Sequence, residues 1–312
     1  MNKQLTQYSP VTVIGAGVIG ISWTALFLAN GMEVRVNDIS DTLEEDIHHG
    51  LNTIKPALQA LGYNVDNLTA NLIIEKDLEK ALKGVKVVQE NGPENPAFKQ
   101  DLYQKLEQLV DKDTLLFSSS SGIPATVIAE RMVTPERVCI GHPFNPPHLI
   151  PLVEISAGEK TSQVTIDKAF EFYNILGKTP VEIKKEVPGF VANRLQSALF
   201  KECIHLVLEG VVDAKELDTI VQQSIGIRWA IGGPFLSFHL GGGQGGFEHF
   251  MAHLGRNMQQ SWANLGQPEL NDANVAKLIA NVQTSYGEQT IDQLAEARDR
   301  SQITLLTALR EK

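Results

Sequence analysis

The glycine pattern GAGVIG near the start of the chain constrains the fold more than any other feature of the sequence. Gly15 ends the apolar run VTVIG (11–15), and Gly17 and Gly20 lead from it into a segment of helical pattern. In such a strand–turn–helix unit the first glycine permits the tight turn, the second lets the backbone approach a pyrophosphate, and the third lets the helix pack on the strand. The helix N-terminus offers unpaired N–H groups to the diphosphate. The pattern therefore predicts that these three glycines bind a dinucleotide.

Asp38 indicates which dinucleotide the fold binds. It ends the next apolar run, EVRVND (33–38), which is where a dinucleotide-binding fold places an acid. A carboxylate there accepts hydrogen bonds from the ribose hydroxyls of adenosine and repels a 2′-phosphate, so it favours NAD over NADP. Flavin-binding proteins share the glycine pattern, and these residues alone leave FAD open.

Short apolar runs alternate with helical patterns through the first part of the chain. Val, Ile and Leu dominate these runs, as expected for strands that are buried on both faces. The six runs are VTVIG (11–15), EVRVND (33–38), NLIIE (71–75), VKVVQE (85–90), TLLFS (114–118) and RVCIG (137–141). Strands that alternate with helices predict a Rossmann-type α/β fold with a doubly wound, mainly parallel sheet.

The pattern changes near residue 187. From Leu195 onward apolar residues recur at helical intervals, as in LQSALFKECIHLVLEG (195–210), and the glycine-rich segment GGGQGG (241–246) interrupts this part. We therefore predict two domains: an NAD-binding domain over 1–187 and an all-helical domain over 188–312, for substrate binding and dimerisation.

Composition excludes some partners and favours one compartment. The net charge of −10 argues against a general affinity for nucleic acid or anionic membranes. No run of about 18 apolar residues and no apolar signal core is present, so we expect a cytoplasmic protein. Cys139 and Cys203 lie in apolar surroundings without metal-like spacing, which indicates structural thiols in a reducing compartment.

His142 and Glu154 are the residues that chemistry on a secondary alcohol would need. Oxidation with NAD requires a general base for the hydroxyl proton, and histidine suits this role because its pKa lies near working pH. His142 follows RVCIG, at the carboxyl edge where such sheets bind ligands. Glu154 lies in LIPLVEIS, and PFNPP between them predicts a sharp turn that brings the two runs together. His148 shares this turn but lies past the strand end, so it is the weaker candidate.

These motifs carry a resemblance to a known family. From Val11 to about Phe235 the chain resembles the L-3-hydroxyacyl-CoA dehydrogenase family, whose H-x-x-N-P and L-V-E patterns it contains at their usual spacing. The matching positions are His142, Asn145 and Pro146, Leu152-Val153-Glu154, Ser121 in SSSSGI, Asn193 in GFVANR, and Glu94 and Lys99 in PENPAFK.

The resemblance implies a role for each matching residue. It makes His142 the base and Glu154 its charge partner, and it favours NAD over a flavin. Ser121 and Asn193 would bind the substrate oxygen. The residues that it places at the nicotinamide half of the cofactor are Glu94, Lys99 and Asn145. It also implies a homodimer through the helical domain.

The residues by themselves leave alternatives to these roles. A lone histidine at a strand end, such as His142, is more often a structural histidine, and a glutamate in an apolar strand, such as Glu154, is also typical of a solvent-facing edge. Ser119 and Ser120 compete with Ser121. An alternative role for Asn193 is to cap a helix that starts at the next residue.

Three segments resemble one branch of the family, the branch of lambda-crystallin/L-gulonate 3-dehydrogenase and L-carnitine dehydrogenase. They are SSSSGIP, HPFNPPHLIPLVEI and GIRWAIGGPF. Gulonate and carnitine are free acids, so we hypothesise that Arg228 forms a bidentate pair with a substrate carboxylate. Arg228 has two alternative roles: pairing with an acid of its own fold, or crossing a dimer interface. Trp229, Phe238 and Trp262 are either an aromatic face for a trimethylammonium group or core residues.

The predicted function is NAD-dependent oxidation of the 3-hydroxyl of a small carnitine- or gulonate-like 3-hydroxy acid. One alternative is a short-chain L-3-hydroxyacyl-CoA dehydrogenase acting on the CoA ester, although residues 50–70 offer only Lys55 to a CoA diphosphate. Another is a non-catalytic, crystallin-like NAD-binding protein, against which the complete set of site residues argues.

His249 and His253 have an i, i+4 spacing that suits a metal, but no third ligand is evident and hydride transfer needs none, so we expect no metal.

Overall fold

The computed structural model describes residues 3–310, which form two compact units. The first unit reaches Asn193 and includes Asp299–Thr307, and the second consists of Arg194–Arg298 with the residues from Ala308. This division falls a few residues after the predicted boundary at 187/188 and assigns part of the last helix to the first unit. The predicted functional division, 1–187 and 188–312, remains a prediction.

A single sheet of eight strands organises the first unit. The strands are β1 Val11–Ile14, β2 Val34–Asn37, β3 Leu72–Ile74, β4 Val87–Glu90, β5 Leu115–Ser118, β6 Val138–Pro143, β7 Leu152–Ala157 and β8 Thr179–Ile183. The strand order is β3-β2-β1-β4-β5-β6-β7-β8. Strands β1 to β6 are parallel, β7 is antiparallel to β6, and β8 is parallel to β7. The predicted Rossmann-type sheet is confirmed, and β8 is an edge strand that the sequence did not predict.

Helices cover both faces of this sheet. Neighbouring residues of β5 enter different apolar clusters, Phe117 one and Leu116 the other, because successive side chains of a strand point to opposite faces. The first cluster includes residues of α1 and α6, and the second includes residues of α4 and α5. The helices are α1 Val18–Ala29, α2 Leu43–Ala60, α3 Leu78–Leu82, α4 Pro96–Leu109, α5 Ala125–Ile128 and α6 Gln163–Ile175.

The later part of the chain is helical, as predicted. The helix over Ile227–Gly241 is interrupted at Gly233, which has a φ of 67° and is followed by Pro234. Two π-helical turns, Gln222–Gly226 and Met251–Gly255, join neighbouring helices. The helices are α7 Ala192–Leu208, α8 Ala214–Val221, α9 Ile227–Gly241, α10 Gly246–Phe250, α11 Arg256–Trp262, α12 Asp272–Tyr286 and α13 Ile291–Arg310. No helix in residues 3–310 is both long and apolar enough to cross a membrane.

Candidate active site

The turn between β1 and α1 has the geometry that the glycine pattern predicts. Gly15 has a φ of +87°, and a Cβ there would lie 2.7 Å from the carbonyl oxygen of Asn91. A Cβ on Gly20 would lie only 1.9 Å from the carbonyl oxygen of Gly15, so neither position admits a side chain. A Cβ on Gly17 would meet nothing within 4 Å, and no side chain caps the first turn of α1. The protein itself therefore requires Gly15 and Gly20, whereas Gly17 suits the approach of a diphosphate to the helix N-terminus.

Asp38 lies beside this turn. It directly follows β2, and its Oδ2 atom accepts a hydrogen bond from the backbone N–H of Ala16 at 2.7 Å. Its Oδ1 atom accepts from the N–H of Ser40 at 2.9 Å. The strand order changes direction between β1 and β4, and ligands bind at the carboxyl ends of strands at such a point. The carboxylate is thus held beside the β1–α1 turn at this point of the sheet.

His142 and Glu154 form a buried pair. They face each other in register on β6 and β7, and His142 Nδ1 lies 2.8 Å from Glu154 Oε2. Both side chains are almost fully buried. An ionised carboxylate can only accept a hydrogen bond, so we assign the ring proton to Nδ1, which leaves the lone pair on Nε2. The neutral imidazole is therefore in the tautomer that a general base requires.

The second oxygen of Glu154 keeps this carboxylate ionised. Oε1 accepts hydrogen bonds from the backbone N–H groups of Val191 and Ala192, both at 3.0 Å, at the N-terminus of α7. Burial raises the pKa of the Glu154 carboxyl, but the hydrogen bonds from His142 and these two N–H groups outweigh burial and hold it below its usual range. A helix N-terminus also favours a negative charge.

The four serines at the end of β5, residues 118–121, have different hydrogen-bond partners. Three hydroxyl groups bond within the fold: Ser118 donates to Glu90 (2.6 Å), Ser119 to Asn91 (2.7 Å) and Ser120 to Glu94 (2.7 Å). Ser121 is exposed, and its hydroxyl lies 3.4 Å from Glu94 Oε1. Of the four hydroxyl groups, that of Ser121 is therefore the most available to a ligand, which favours it over Ser119 and Ser120.

Glu94 organises the turn that carries Ser121. Its Oε1 atom accepts from the backbone N–H groups of Ser121 and Gly122, each at 2.8 Å. Burial raises the pKa of Glu94, but the hydroxyl of Ser120, the charge of Lys99 and these two N–H groups together lower it below its ordinary value. The carboxylate is thus ionised and holds the backbone at Ser121.

Lys99 is buried, which limits how it reaches a cofactor. Its side chain is 1% exposed, and its ammonium donates to both carboxylate oxygens of Glu90 at 2.7 and 2.8 Å. It lies 3.8 Å from Glu94 Oε2. The Lys99 ammonium is thus paired with Glu90 and lies beside Glu94, and its predicted contact with the cofactor stays a prediction. Sequence reasoning missed Glu90, and its position at the end of a buried strand was the available signal.

Asn145 and Asn193 are available for binding, and neither side chain is hydrogen-bonded to the His142–Glu154 pair. Asn145 is exposed in the segment that follows β6. Asn193 is half-buried in the first turn of α7, and because that helix begins at Ala192, Asn193 is not its cap. The capping alternative is therefore wrong. The Nδ1 atom of His148, the weaker histidine candidate, is hydrogen-bonded to the hydroxyl of Ser22 on α1 at 2.8 Å.

The residues proposed for substrate selection lie in the second unit. Arg228 is exposed on α9 and forms no ion pair within the described residues of the chain. Phe238 stacks on Phe250 at 4.8 Å between ring centroids and makes no ring contact with Trp229 or Trp262 in the described part of the chain. No ring contact joins the three aromatic residues in the described part of the chain, and the aromatic face stays a prediction.

The histidine pair of the second unit belongs to no larger cluster of metal-ligating side chains within residues 3–310. The rings of His249 and His253 lie 4.3 Å apart. Among the described residues, no group of three or more His, Cys, Asp or Glu side chains is arranged to hold a metal ion.

Comparison with known proteins identifies the family. Residues 10–187 match the model of the 3-hydroxyacyl-CoA dehydrogenase NAD-binding domain, and residues 189–273 match that of the C-terminal domain of the same enzymes. The chain belongs to the 3-hydroxyacyl-CoA dehydrogenase family. The predictions of family, fold class and NAD as cofactor are confirmed. As a member of this family, the protein is an NAD-dependent dehydrogenase that oxidises the 3-hydroxyl of its substrate.

Curated relatives resemble the chain over nearly its whole length. The L-carnitine dehydrogenase of Streptomyces coelicolor is 37% identical over 298 residues, which are 96% of this chain and 94% of the relative. That of Burkholderia mallei is 36% identical over 305 residues, 98% of this chain and 95% of the relative. That of Pseudomonas aeruginosa is 34% identical over 307 residues, 98% of this chain and 96% of the relative.

Solved structures share the fold. The NAD-dependent dismutase 5-formyl-3-hydroxy-2-methylpyridine 4-carboxylic acid 5-dehydrogenase has a TM-score of 0.79 and 29% identity, covering 96% of this chain and 98% of its own. The 3-hydroxybutyryl-CoA dehydrogenase of Escherichia coli has a TM-score of 0.62 and 26% identity, covering 75% of this chain and 49% of its own.

Proposed function

We propose that the substrate is a small free 3-hydroxy acid resembling carnitine, and that His142 is the general base of its oxidation. The observation that carries the base assignment is the buried His142–Glu154 pair, which fixes the proton on Nδ1 and leaves Nε2 to accept one. The substrate class is supported by the full-length similarity to L-carnitine dehydrogenases at 34–37% identity.

Both His142 and Glu154 would take part in removing the proton of the substrate 3-hydroxyl. Nε2 of His142 takes the proton of the substrate 3-hydroxyl, and the Glu154 carboxylate stabilises the imidazolium that results. NAD, held by the β1–α1 turn and Asp38, would supply the acceptor for the hydride of C3. Because Glu154 is held by two backbone N–H groups, it keeps its place while the charge on the imidazole changes.

The remaining residues would position substrate and cofactor. Ser121 and Asn193 are proposed to donate hydrogen bonds to the substrate oxygen. Asn145 and Glu94 are proposed to lie at the nicotinamide half of the cofactor, with Lys99 holding Glu94. At the other half, Gly15, Gly17 and Gly20 would admit the diphosphate, and Asp38 would bind the adenosine ribose.

Arg228 is proposed to bind the substrate carboxylate. An arginine fork matches a carboxylate with two parallel hydrogen bonds, and this favours a free acid over its thioester. Its exposure, and the absence of an ion pair for it within the described residues, support this role over pairing with an acid of its own unit.

A second candidate function is oxidation of a short-chain 3-hydroxyacyl-CoA. The match of residues 189–273 to the C-terminal domain of the CoA-dependent enzymes favours it. The single cation of residues 50–70, Lys55, disfavours it, because a CoA diphosphate would need more positive charge.

A substrate panel distinguishes the candidates. Purified protein and NAD are mixed with L-carnitine, L-gulonate, 3-hydroxybutyrate and 3-hydroxybutyryl-CoA, and NADH absorbance is followed. Turnover of one free acid without the CoA ester is the expected result. Turnover of the ester alone would replace the free-acid proposal with the CoA-dependent function. Tight NADH binding without any turnover would favour the crystallin-like alternative.

We also propose a cytoplasmic homodimer. The helix α9 exposes large apolar side chains, among them Phe235 at 77% and Leu240 at 69%, which a second copy would cover. Cys139 and Cys203 are both free thiols, which supports a reducing compartment.

A further inference from the structure

The ring of Phe190 lies against the imidazole of His142. The two ring centroids are 5.4 Å apart at an interplanar angle of 43°. Phe190 is fully buried within the apolar cluster that also includes Ile140 of β6. One side of the imidazole is therefore covered by a rigid aromatic side chain rather than by water.

The backbone at Phe190 is unusual for its residue type. Its φ is +47°, in the left-handed region, and it follows Gly189 at +76°. Residues with a Cβ rarely adopt this region, and a large aromatic residue there indicates that the surroundings require its side chain. Glycine would suit this backbone better, so the conformation alone does not account for a phenylalanine.

The same turn also contacts the partner of His142. Directly after Phe190, the N–H groups of Val191 and Ala192 bond to Glu154 Oε1. Residues 190–192 thus touch both members of the pair: the ring packs on the imidazole, and the backbone holds the carboxylate. If the chain at 190 followed another path, both contacts would be lost together.

We infer that Phe190 is a positioning residue for the oxidation, holding the His142 ring so that Nδ1 stays on Glu154 and Nε2 stays directed away from it, and shielding the Nδ1–Oε2 hydrogen bond from water. This inference rests on the proposed function of His142 as the base. A base that rotates spends less time aligned with the substrate hydroxyl, and small misplacements of reacting groups are costly in rate.

The test replaces Phe190 by Leu and uses Phe172→Leu as its matched control. Phe172 is equally buried and packs on Phe27, Phe117 and Tyr173, with no ring contact to His142. Phe190→Leu is expected to lower kcat roughly 10- to 100-fold, with KM and the NADH dissociation constant changed less than about twofold. Phe172→Leu should lower thermal stability by a similar amount with kcat nearly unchanged.

A readout independent of turnover separates this inference from the proposed function. The Nδ1–H of His142 should give a protected proton resonance in NMR, assigned by its loss in His142→Gln. In Phe190→Leu this resonance is expected to broaden or vanish through exchange with water, while it persists in Phe172→Leu. If Phe190→Leu does not fold, Phe190→Met fills the same space with a more flexible chain.

The outcomes are distinct. A Phe190 variant that keeps both its kcat and its protected resonance would overturn the inference. A wild-type protein that shows the resonance but oxidises no 3-hydroxy compound would overturn the proposed function, and the NMR comparison would still decide whether Phe190 shields the His142–Glu154 hydrogen bond from water.

Discussion

Glu154 shows how much of the site depends on one residue. Its two oxygens accept three hydrogen bonds, one from His142 and two from the start of α7. The sequence predicted the contact with His142, because the PFNPP turn and the two apolar runs point to a hairpin. It did not predict the contact with Val191 and Ala192, since no local pattern links β7 to a helix that begins 38 residues later.

Replacing Glu154 by Gln should impair both activity and stability. An amide offers one acceptor oxygen where the carboxylate uses two, so either His142 or the N–H pair of α7 loses its partner. We expect kcat to fall roughly 10²- to 10⁴-fold and the free energy of unfolding to fall by about 1–3 kcal/mol. Steady-state kinetics and urea unfolding measure the two effects.

Glu107→Gln is the matched control for this change. Glu107 also accepts from two backbone N–H groups, those of Val133 and Thr134, but has no contact with His142. The Glu107→Gln variant should have a lower free energy of unfolding and an unchanged kcat. Equal kcat values for the two variants would show that Glu154 has no part in the chemistry.

The Arg228 hypothesis gives a second prediction for a single residue. Replacing Arg228 by Met should raise KM for a free acid by about 10- to 100-fold, since a charge-assisted pair contributes on the order of 1.5–3 kcal/mol. Lys215→Met removes one exposed cation from α8 of the same unit and should leave KM unchanged. An unchanged KM in Arg228→Met, measured under the same conditions, would exclude the carboxylate role.

Among single elements, the β1–α1 turn was the most predictable. Strand, glycines, helix and acid are close in sequence, so their pattern specifies their geometry. By contrast, the edge strand β8 was not predicted, because its residues are mostly exposed and KTPVEI lacks a buried apolar run. The burial of Lys99 was also missed, since only the fold brings Glu90 to its ammonium.

The glycines of this turn should respond differently to an added methyl group. Gly20→Ala places a Cβ 1.9 Å from the Gly15 carbonyl oxygen, so the turn must shift and the melting temperature should fall. Gly17→Ala meets nothing within 4 Å, so it should keep the melting temperature and weaken NADH binding. Thermal unfolding and NADH fluorescence test both. Unweakened NADH binding in Gly17→Ala would place the diphosphate elsewhere.

Lys178 binds the backbone of the segment that joins β6 to β7, the strands that carry His142 and Glu154. Its ammonium donates to the carbonyl oxygens of Pro147 and Ile150 and lies 5.4 Å from the centre of the Trp23 ring. Burial lowers the pKa of Lys178 from 10.5 to about 7. Between these values the unfolded chain binds a proton that the folded protein does not, so this group makes stability rise with pH across that window.

Replacing Lys178 by Met should remove this pH dependence. The contribution from Lys178 has a slope of up to about 1.4 kcal/mol per pH unit above pH 7. Urea unfolding of the wild type and of Lys178→Met from pH 6.5 to 9.5 measures the difference in slope. Lys184→Met, which alters an exposed lysine, should behave as the wild type. Parallel curves for wild type and Lys178→Met would contradict a lowered pKa.

At the scale of the whole molecule, the sequence predicted the family, the cofactor and the order of the fold. The family motifs are spread over most of the chain, and several of them fall at strand ends or helix starts of the first unit, as the glycines after β1 and His142 near the end of β6 do. The substrate was less predictable, because it depends on Arg228 and the aromatic residues of the helical part, where spacing alone does not say which side chains meet.

The most direct test of the account is NADH formation by the wild type and by His142→Gln, with NADH affinity measured on both proteins. With NAD and L-carnitine, the wild type is expected to form NADH. His142→Gln should lower kcat at least about 100-fold while its NADH affinity stays the same. If His142→Gln forms NADH as fast as the wild type, the pair of His142 and Glu154 is not the catalytic base.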